Sequence, residues 1–161
     1  MRIFASLAEF AEVKGEHLGY SPWREITQQQ INLFADATDD HQWIHTDPAR
    51  AVAGPFGTTI AHGYLTLALI TVFQQEIFEI RELAMAVNIG LNRVRFPAPI
   101  RVGAKVRGGA VLVDLRHSPA GELATIRVTV AAEGEKRPAC VADTLTLYIT
   151  EQERHGHEQS G

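Results

Sequence analysis

An α+β domain, with an antiparallel sheet wrapped around a long central helix, is what the sequence predicts, on three observations. Helical spacing dominates the stretch before residue 81. One helix in that stretch, beginning near His62, is apolar on nearly every side. From Val87 onward the pattern becomes that of strands and remains so to Thr150. An all-apolar helix has to be covered and a sheet has to bury one face, so each can satisfy the other.

The elements follow in order. Phe4, Leu7, Ala8, Phe10 and Ala11 recur at helical spacing and predict a short helix over 4–13. Leu18 to Ile26 is irregular, with Gly19 and Pro22, and reads as containing an edge strand. Thr27 followed by Gln30 is a capping-box pattern. Ile31, Phe34 and Ala35 then line one face of a helix running to about Ala37. Residues 38–48 form a dense polar loop holding Asp39, Asp40, His41, His45 and Asp47. Asp47 as cap and Pro48 as first helical residue predict a short helix over 48–53, and Gly54 to Gly57 predicts a turn. The central helix runs from His62 to about Ile80. Four strands follow, over 87–96, 104–116, 122–132 and 140–150, separated by Pro97-Ala98-Pro99, Ser118 to Gly121 and Gly134 to Pro138. Short turns make consecutive strands antiparallel neighbours.

Composition narrows the function classes. A chain of 161 residues fits one domain, here residues 1–150, with a polar tail over 151–161. At that size about 70% of the unfolded surface can be buried, so no metal or disulfide staple is required. The single cysteine, Cys140, lies at an apolar strand start and reads as a buried, inert thiol. A formal net charge of −4 gives no electrostatic case for nucleic acid. Glu9 interrupts what would be the apolar core of a signal peptide, and no apolar run is long enough to span a bilayer. The expectation is a cytoplasmic protein without a membrane partner.

Three features carry chemistry. Asp40 and His45, five residues apart, could hold a water between a carboxylate and an imidazole, take a proton from it and deliver one elsewhere. Equally, Asp40 could cap a turn while His45 satisfies a carbonyl. His62-Gly63-Tyr64 opens the central helix, where the first N–H groups lack partners and the helix dipole adds positive potential. The Gly63 N–H could stabilise a negative oxygen there, or Gly63 could simply permit close packing. Asn92 to Gly103 reads as a strand, a Pro-rich bend and a new strand, at its simplest a hairpin. Asp40, His41, His45 and His62 do not show a recognised metal-ligand spacing, so no metal is expected. Arg93 and Arg95, with Arg101, Lys105 and Arg107, could meet phosphates or belong to a solvated sheet face.

Together these stretches resemble the MaoC-like dehydratase family, which includes the (R)-specific enoyl-CoA hydratases. The family pattern of Asp, any residue, Asn, Pro, an apolar residue and His stands here as Asp40-His41-Gln42-Trp43-Ile44-His45, followed by Asp47-Pro48. The His-Gly of the long helix stands as His62-Gly63, and the Phe-to-Gly pattern as Phe96 to Gly103 with Pro99. Gln42-Trp43 departs from the pattern in the manner of a nodulation protein N-like subgroup. The resemblance implies a hot-dog fold and a homodimer whose two sheets run together, with a thioester tunnel near the subunit boundary. It implies that Asp40 and His45 hold the catalytic water while the Gly63 amide polarises the thioester carbonyl. Gln42, His62, Tyr64, Arg93 and Arg95 become candidates for substrate contact. The reaction implied, within fatty acid metabolism, is interconversion of trans-2-enoyl-CoA and (R)-3-hydroxyacyl-CoA, with the coenzyme A thioester as substrate and no further cofactor. Two rivals remain: an acyl-CoA thioesterase, and a non-catalytic acyl-binding module.

Overall fold

The computed structural model describes residues 1–150; the polar tail expected at 151–161 lies outside the described residues. The chain begins with β1 (Arg2–Phe4), a strand where helical spacing had extended a helix back to residue 4. Helix α1 is confined to Leu7–Glu12, capped by the Ser6 hydroxyl accepting from the Glu9 N–H at 3.3 Å. Then come β2 (His17–Tyr20) and β3 (Arg24–Glu25), both paired antiparallel with a later strand over Lys105–Ser118. The capping box forms as the sequence predicts and starts α2 (Gln28–Thr38).

Two one-turn helices follow, α3 (Trp43–Thr46) and α4 (Pro48–Val52). The central helix is shorter than its periodicity predicts and is stepped. It consists of α5 (Gly63–Ala68) and α6 (Ile70–Ile77), with Leu69 between them at φ −67°, ψ −16°. The ladder continues through the step, since the Leu69 N–H donates to Leu65 and the Phe73 N–H to Leu69, at 3.1 and 3.0 Å. Residues 78–80 are not helix but strand β4 (Phe78–Ile80), which pairs in parallel with β1. Nor is the helix covered on all sides within this chain. It buries Leu65, Ile70, Phe73 and Ile77, while Tyr64 is 72% exposed.

The remaining strands are β5 (Leu83–Arg95), β6 (Lys105–Ser118), β7 (Gly121–Ala132) and β8 (Cys140–Thr150). The large sheet has the order β2-β6-β7-β8-β5, with β3 also on β6, and every pairing is antiparallel. Two of the three expected neighbour pairs are present. The third is not: β5 pairs with β8 at the edge, so Pro97 to Pro99 is a crossover rather than a hairpin turn. The crossover positions the site. Its far end lies beside residues 59–61, with the Ala61 N–H donating to Ile100 and the Val102 N–H to Thr59, at 2.8 and 3.0 Å.

The inner sheet face packs on α6. Phe73 is fully buried, and Gly108 makes room for it: a Cβ at 108 would lie 2.7 Å from the Phe73 Cβ. Phe4, Phe10, Phe78 and Tyr148 cluster at one end of the core, Phe10 stacking on Phe78 and meeting Phe4 and Tyr148 edge-on. Cys140 is buried in the inner face, and burial pushes its thiol up to about 11. A thiolate is the reactive form, so the native protein should resist iodoacetamide near neutral pH and take one label per chain after denaturation. Rapid labelling of native protein, read by mass spectrometry, would contradict the placement.

Candidate active site

Helix α2 ends at Thr38, and Asp39 adopts a left-handed conformation with φ 57°, which reverses the chain. Asp and Asn tolerate that region better than most residues. Asp40 comes next, its carboxylate half exposed and its Oδ1 accepting from the Gln42 N–H at 3.4 Å. His45 is on α3, a single helical turn where the sequence predicts loop. Asp47 then caps α4 by accepting from the Arg50 N–H at 3.0 Å, with Pro48 in the first turn as expected.

The His45 ring is buried and firmly held. Its Nδ1 lies 2.7 Å from the Ile60 carbonyl, which can only accept, so Nδ1 carries the proton and Nε2 holds the lone pair of the neutral ring. The His45 carbonyl accepts from Gln28 Nε2 at 2.7 Å, and Gln28 Oε1 accepts from the Thr59 hydroxyl at 2.5 Å. Burial is the main influence on the imidazole and pushes its pKa below 6.5; the His62 ring adds to this, while the Ile60 bond and Asp40 oppose it.

His62 lies flat against His45, with ring centroids 3.8 Å apart and planes 24° from parallel; Phe34 lies 5.0 Å away. Its Nε2 is 3.0 Å from the Asp40 main-chain carbonyl and 4.0 Å from the Asp40 carboxylate. Its Nδ1 is buried without a hydrogen-bond partner. His62 is also the N-cap of α5, yet its side chain does not cap that helix. Serine, threonine, asparagine or aspartate there would typically contribute about 1 kcal/mol.

Gly63 opens α5 and faces the Phe96 ring, 3.2 Å from where its Cβ would be. Close packing is thus one reason for glycine. It does not displace the other, because Gly63, Thr66, Phe96, Ile100 and His45 line a cleft of about 320 Å³. Tyr64, largely exposed, meets Phe96 edge-on at 6.2 Å. Gln42 is exposed at the start of α3. Arg95, one residue before Phe96, donates to the Val94 carbonyl at 2.8 Å. Arg93 is opposite Asp143 in the β5–β8 register, alongside the two-pronged Arg127–Asp143 pair at 2.7 and 2.9 Å.

The structure therefore gathers Asp40, His45, His62 and Gly63 at one place, with Tyr64 beside them, and leaves Arg93 by the sheet's ion pair. Donor atoms of Asp40, His45 and His62 fall within 4.8 Å of one another. Each ring commits one nitrogen to a main-chain carbonyl, as histidines that ligate metals also do, so the nitrogens left free are His45 Nε2 and His62 Nδ1. Gln28, Phe34, Thr59 and Ile60 complete the site and are not singled out by the sequence. Gln28 opens the helix that the capping box announces, but its partners lie 17 and 31 residues away.

Known proteins agree with this architecture. The MaoC like domain matches residues 9–134. The "3-hydroxyacyl-thioester dehydratase Z" of Mycobacterium tuberculosis (strain ATCC 25618 / H37Rv) is 51% identical over 150 residues, covering 92% of this chain and 99% of that protein. "Nodulation protein N" of Rhizobium meliloti (strain 1021) is 48% identical over 145 residues, covering 88% and 90%. Among solved structures, the unliganded R-hydratase PhaJ1 of Pseudomonas aeruginosa superposes with a TM-score of 0.70 at 20% identity, covering 86% of this chain and 83% of that one. This last likeness speaks for the fold, which is the hot-dog α+β fold. With more than half of its length matched by the domain and relatives near 50% identity along almost the whole of it, the chain belongs to the MaoC-like dehydratase family.

Proposed function

We propose that the protein is a hydro-lyase that interconverts trans-2-enoyl-CoA and (R)-3-hydroxyacyl-CoA. The observation that carries the reading is the His45 imidazole, locked by Ile60 with Nε2 left for chemistry, beside Asp40 and at the head of the helix that Gly63 opens. A water held between Asp40 and Nε2 gives up a proton to the pair, and its oxygen adds to C3. The electron pair of the C2–C3 double bond moves toward the thioester carbonyl, whose oxygen becomes enolate-like. The Gly63 N–H is the donor that stabilises this charge, a contribution typically of about 3–4 kcal/mol to the barrier. The pair then returns a proton to C2. Dehydration is the reverse sequence. The relative named as a 3-hydroxyacyl-thioester dehydratase supports the reaction class.

The same reading takes the coenzyme A thioester as substrate and draws the chemistry from the chain's own residues, without a cofactor. It makes the active form a homodimer. β5 ends the sheet, with Met85, Val87, Ile89 and Leu91 exposed along it, and long open edges of this kind invite a further strand. We place the protein in the cytoplasm; among the described residues, no helix is long and apolar enough to cross a membrane.

The thioesterase alternative expects a carboxylate on the central helix near its N-terminus. The first acid along α5 and α6 is Glu76, in the last turns and ion-paired with Arg24 at 2.7 Å. The direct test mixes the protein with a short-chain trans-2-enoyl-CoA. Loss of the conjugated-thioester absorbance without release of free thiol is expected. Release of free coenzyme A would favour the thioesterase, and binding without turnover the acyl-binding module.

The pH dependence has a defined sign. Hydration needs His45 unprotonated, and burial holds its pKa below 6.5. The acid limb of kcat/KM should therefore fall below pH 6.5 rather than above it. A limb centred above 6.5 would contradict His45 as the titrating base.

A further inference from the structure

We infer that His62 is a positioning residue: its Nε2–H holds Asp40 by the main-chain carbonyl while its ring supports His45, so one buried side chain fixes both reacting groups relative to each other. The inference rests on the hydration reading of the site.

Asp40 needs such a support. It follows the left-handed residue Asp39, outside the hydrogen-bond ladder of α2. Its carboxylate is held loosely, by a 3.4 Å contact with the Gln42 N–H. Two side-chain ties of the loop are at the surface: the Thr46 hydroxyl on the His41 carbonyl at 3.2 Å, and the His41 ring beside Asp36 at 3.3 Å. The bond from His62 is shorter, at 3.0 Å, and comes from a side chain that is 2% exposed.

The His62 ring is itself set. Phe34 from α2 packs near it, and its backbone begins α5, with the Thr66 hydroxyl donating to its carbonyl at 3.3 Å. A carbonyl can only accept, so Nε2 of His62 carries hydrogen. A histidine at a helix N-cap whose side chain leaves its own helix uncapped and reaches Asp40, 22 residues earlier, has been placed for that long-range contact. Burial beneath His45 also makes His62 a poor candidate for direct substrate contact. Small displacements of a reacting group matter: about 1 Å can lower a rate by about 10²-fold.

The groups facing His45 are few. Asp40 and His62 are the titratable ones; Phe34 on α2 packs by the His62 ring, and Gln28, bonded to the His45 carbonyl, and Thr59, bonded to Gln28, carry no charge. Removing the His62 ring takes away one of the influences that lower the His45 pKa, so the acid limb should move to higher pH.

The experiment measures kcat, KM, the pH profile of kcat/KM and the melting temperature on a short-chain trans-2-enoyl-CoA, for wild type, His62→Phe and His62→Gln. His62→Phe keeps a flat ring against His45 but has no N–H. It should lose about 10²-fold in kcat with KM within about threefold of wild type. His62→Gln can place an amide N–H near the position of Nε2 and should recover kcat to within about tenfold of wild type. Both should shift the acid limb upward. If His62→Phe does not fold, His62→Leu, which likewise lacks an N–H, takes its place and should show the same loss in kcat. Wild-type kcat with an unshifted limb in either folded variant would overturn it, and a change confined to melting temperature would reduce His62 to packing. Wild-type protein that fails to hydrate the thioester would overturn the hydration reading and this inference with it.

Discussion

His45→Asn and Asp40→Asn should each lower kcat for enoyl-thioester hydration by about 10³-fold, within the range of roughly 10²–10⁴ for a general acid–base group, while the protein stays folded. Asparagine suits position 45 because its amide can still donate to the Ile60 carbonyl, replacing the 2.7 Å bond of Nδ1 and removing only the base. Alanine there would orphan that carbonyl at a cost of about 1–3 kcal/mol and blur activity with stability. At position 40 the amide keeps the shape and the main-chain carbonyl bonded to His62, so the loop should persist. The two residues act on one water, so the double variant should be little worse than either single one. Steady-state kinetics with circular dichroism decides the matter. Folded variants with wild-type kcat would remove this pair from the mechanism.

The largest effect on stability is expected from Phe73→Ala. Phe73 is 0% exposed, in the middle of α6, and the inner sheet face is shaped to receive it at Gly108. Truncation removes a ring that rigid strands cannot follow, and buried Phe→Ala substitutions typically cost about 3–5 kcal/mol. At about 2–4 °C per kcal/mol for a chain of this size, the melting temperature should fall by about 10 °C. A fall of only a degree or two, measured by calorimetry, would mean that the core collapses readily around the site. Residual activity at low temperature should remain, because Phe73 does not line the catalytic cleft.

What was legible in the sequence was what local chemistry writes down. Thr27 with Gln30, and Asp47 with Pro48, announce helix starts because cap and partner lie within one turn. Asp40, His45 and Gly63 stood out because their residue types and spacing suit one reaction, and the fold brings them together. What was missed depends on partners far away in the chain. Phe78-Glu79-Ile80 continues a helical pattern until β1 offers it a parallel neighbour. The Pro-rich segment after β5 looks like a hairpin turn until β8 takes the place beside β5. Gln28 is an ordinary first-turn residue until Thr59 and the His45 carbonyl arrive. His62 reads as a companion of Gly63, whereas its tie is to a carbonyl 22 residues back.

The strand order has a consequence for how the molecule is assembled. β8, the last described strand to leave a ribosome, is not at the rim of the sheet but between β7 and β5. Until residues 140–150 are made, β5 has no neighbour within the sheet and the β2–β6–β7 portion has no route to it. Completion of the sheet over α6 is therefore a late event that joins segments made far apart, and pairings of such long sequence separation favour slow folding. During that interval β5 is a bare strand of thirteen residues with Val, Ile and Leu along it, and a nascent chain waiting for β8 is the form most exposed to mispairing with its neighbours on the polysome.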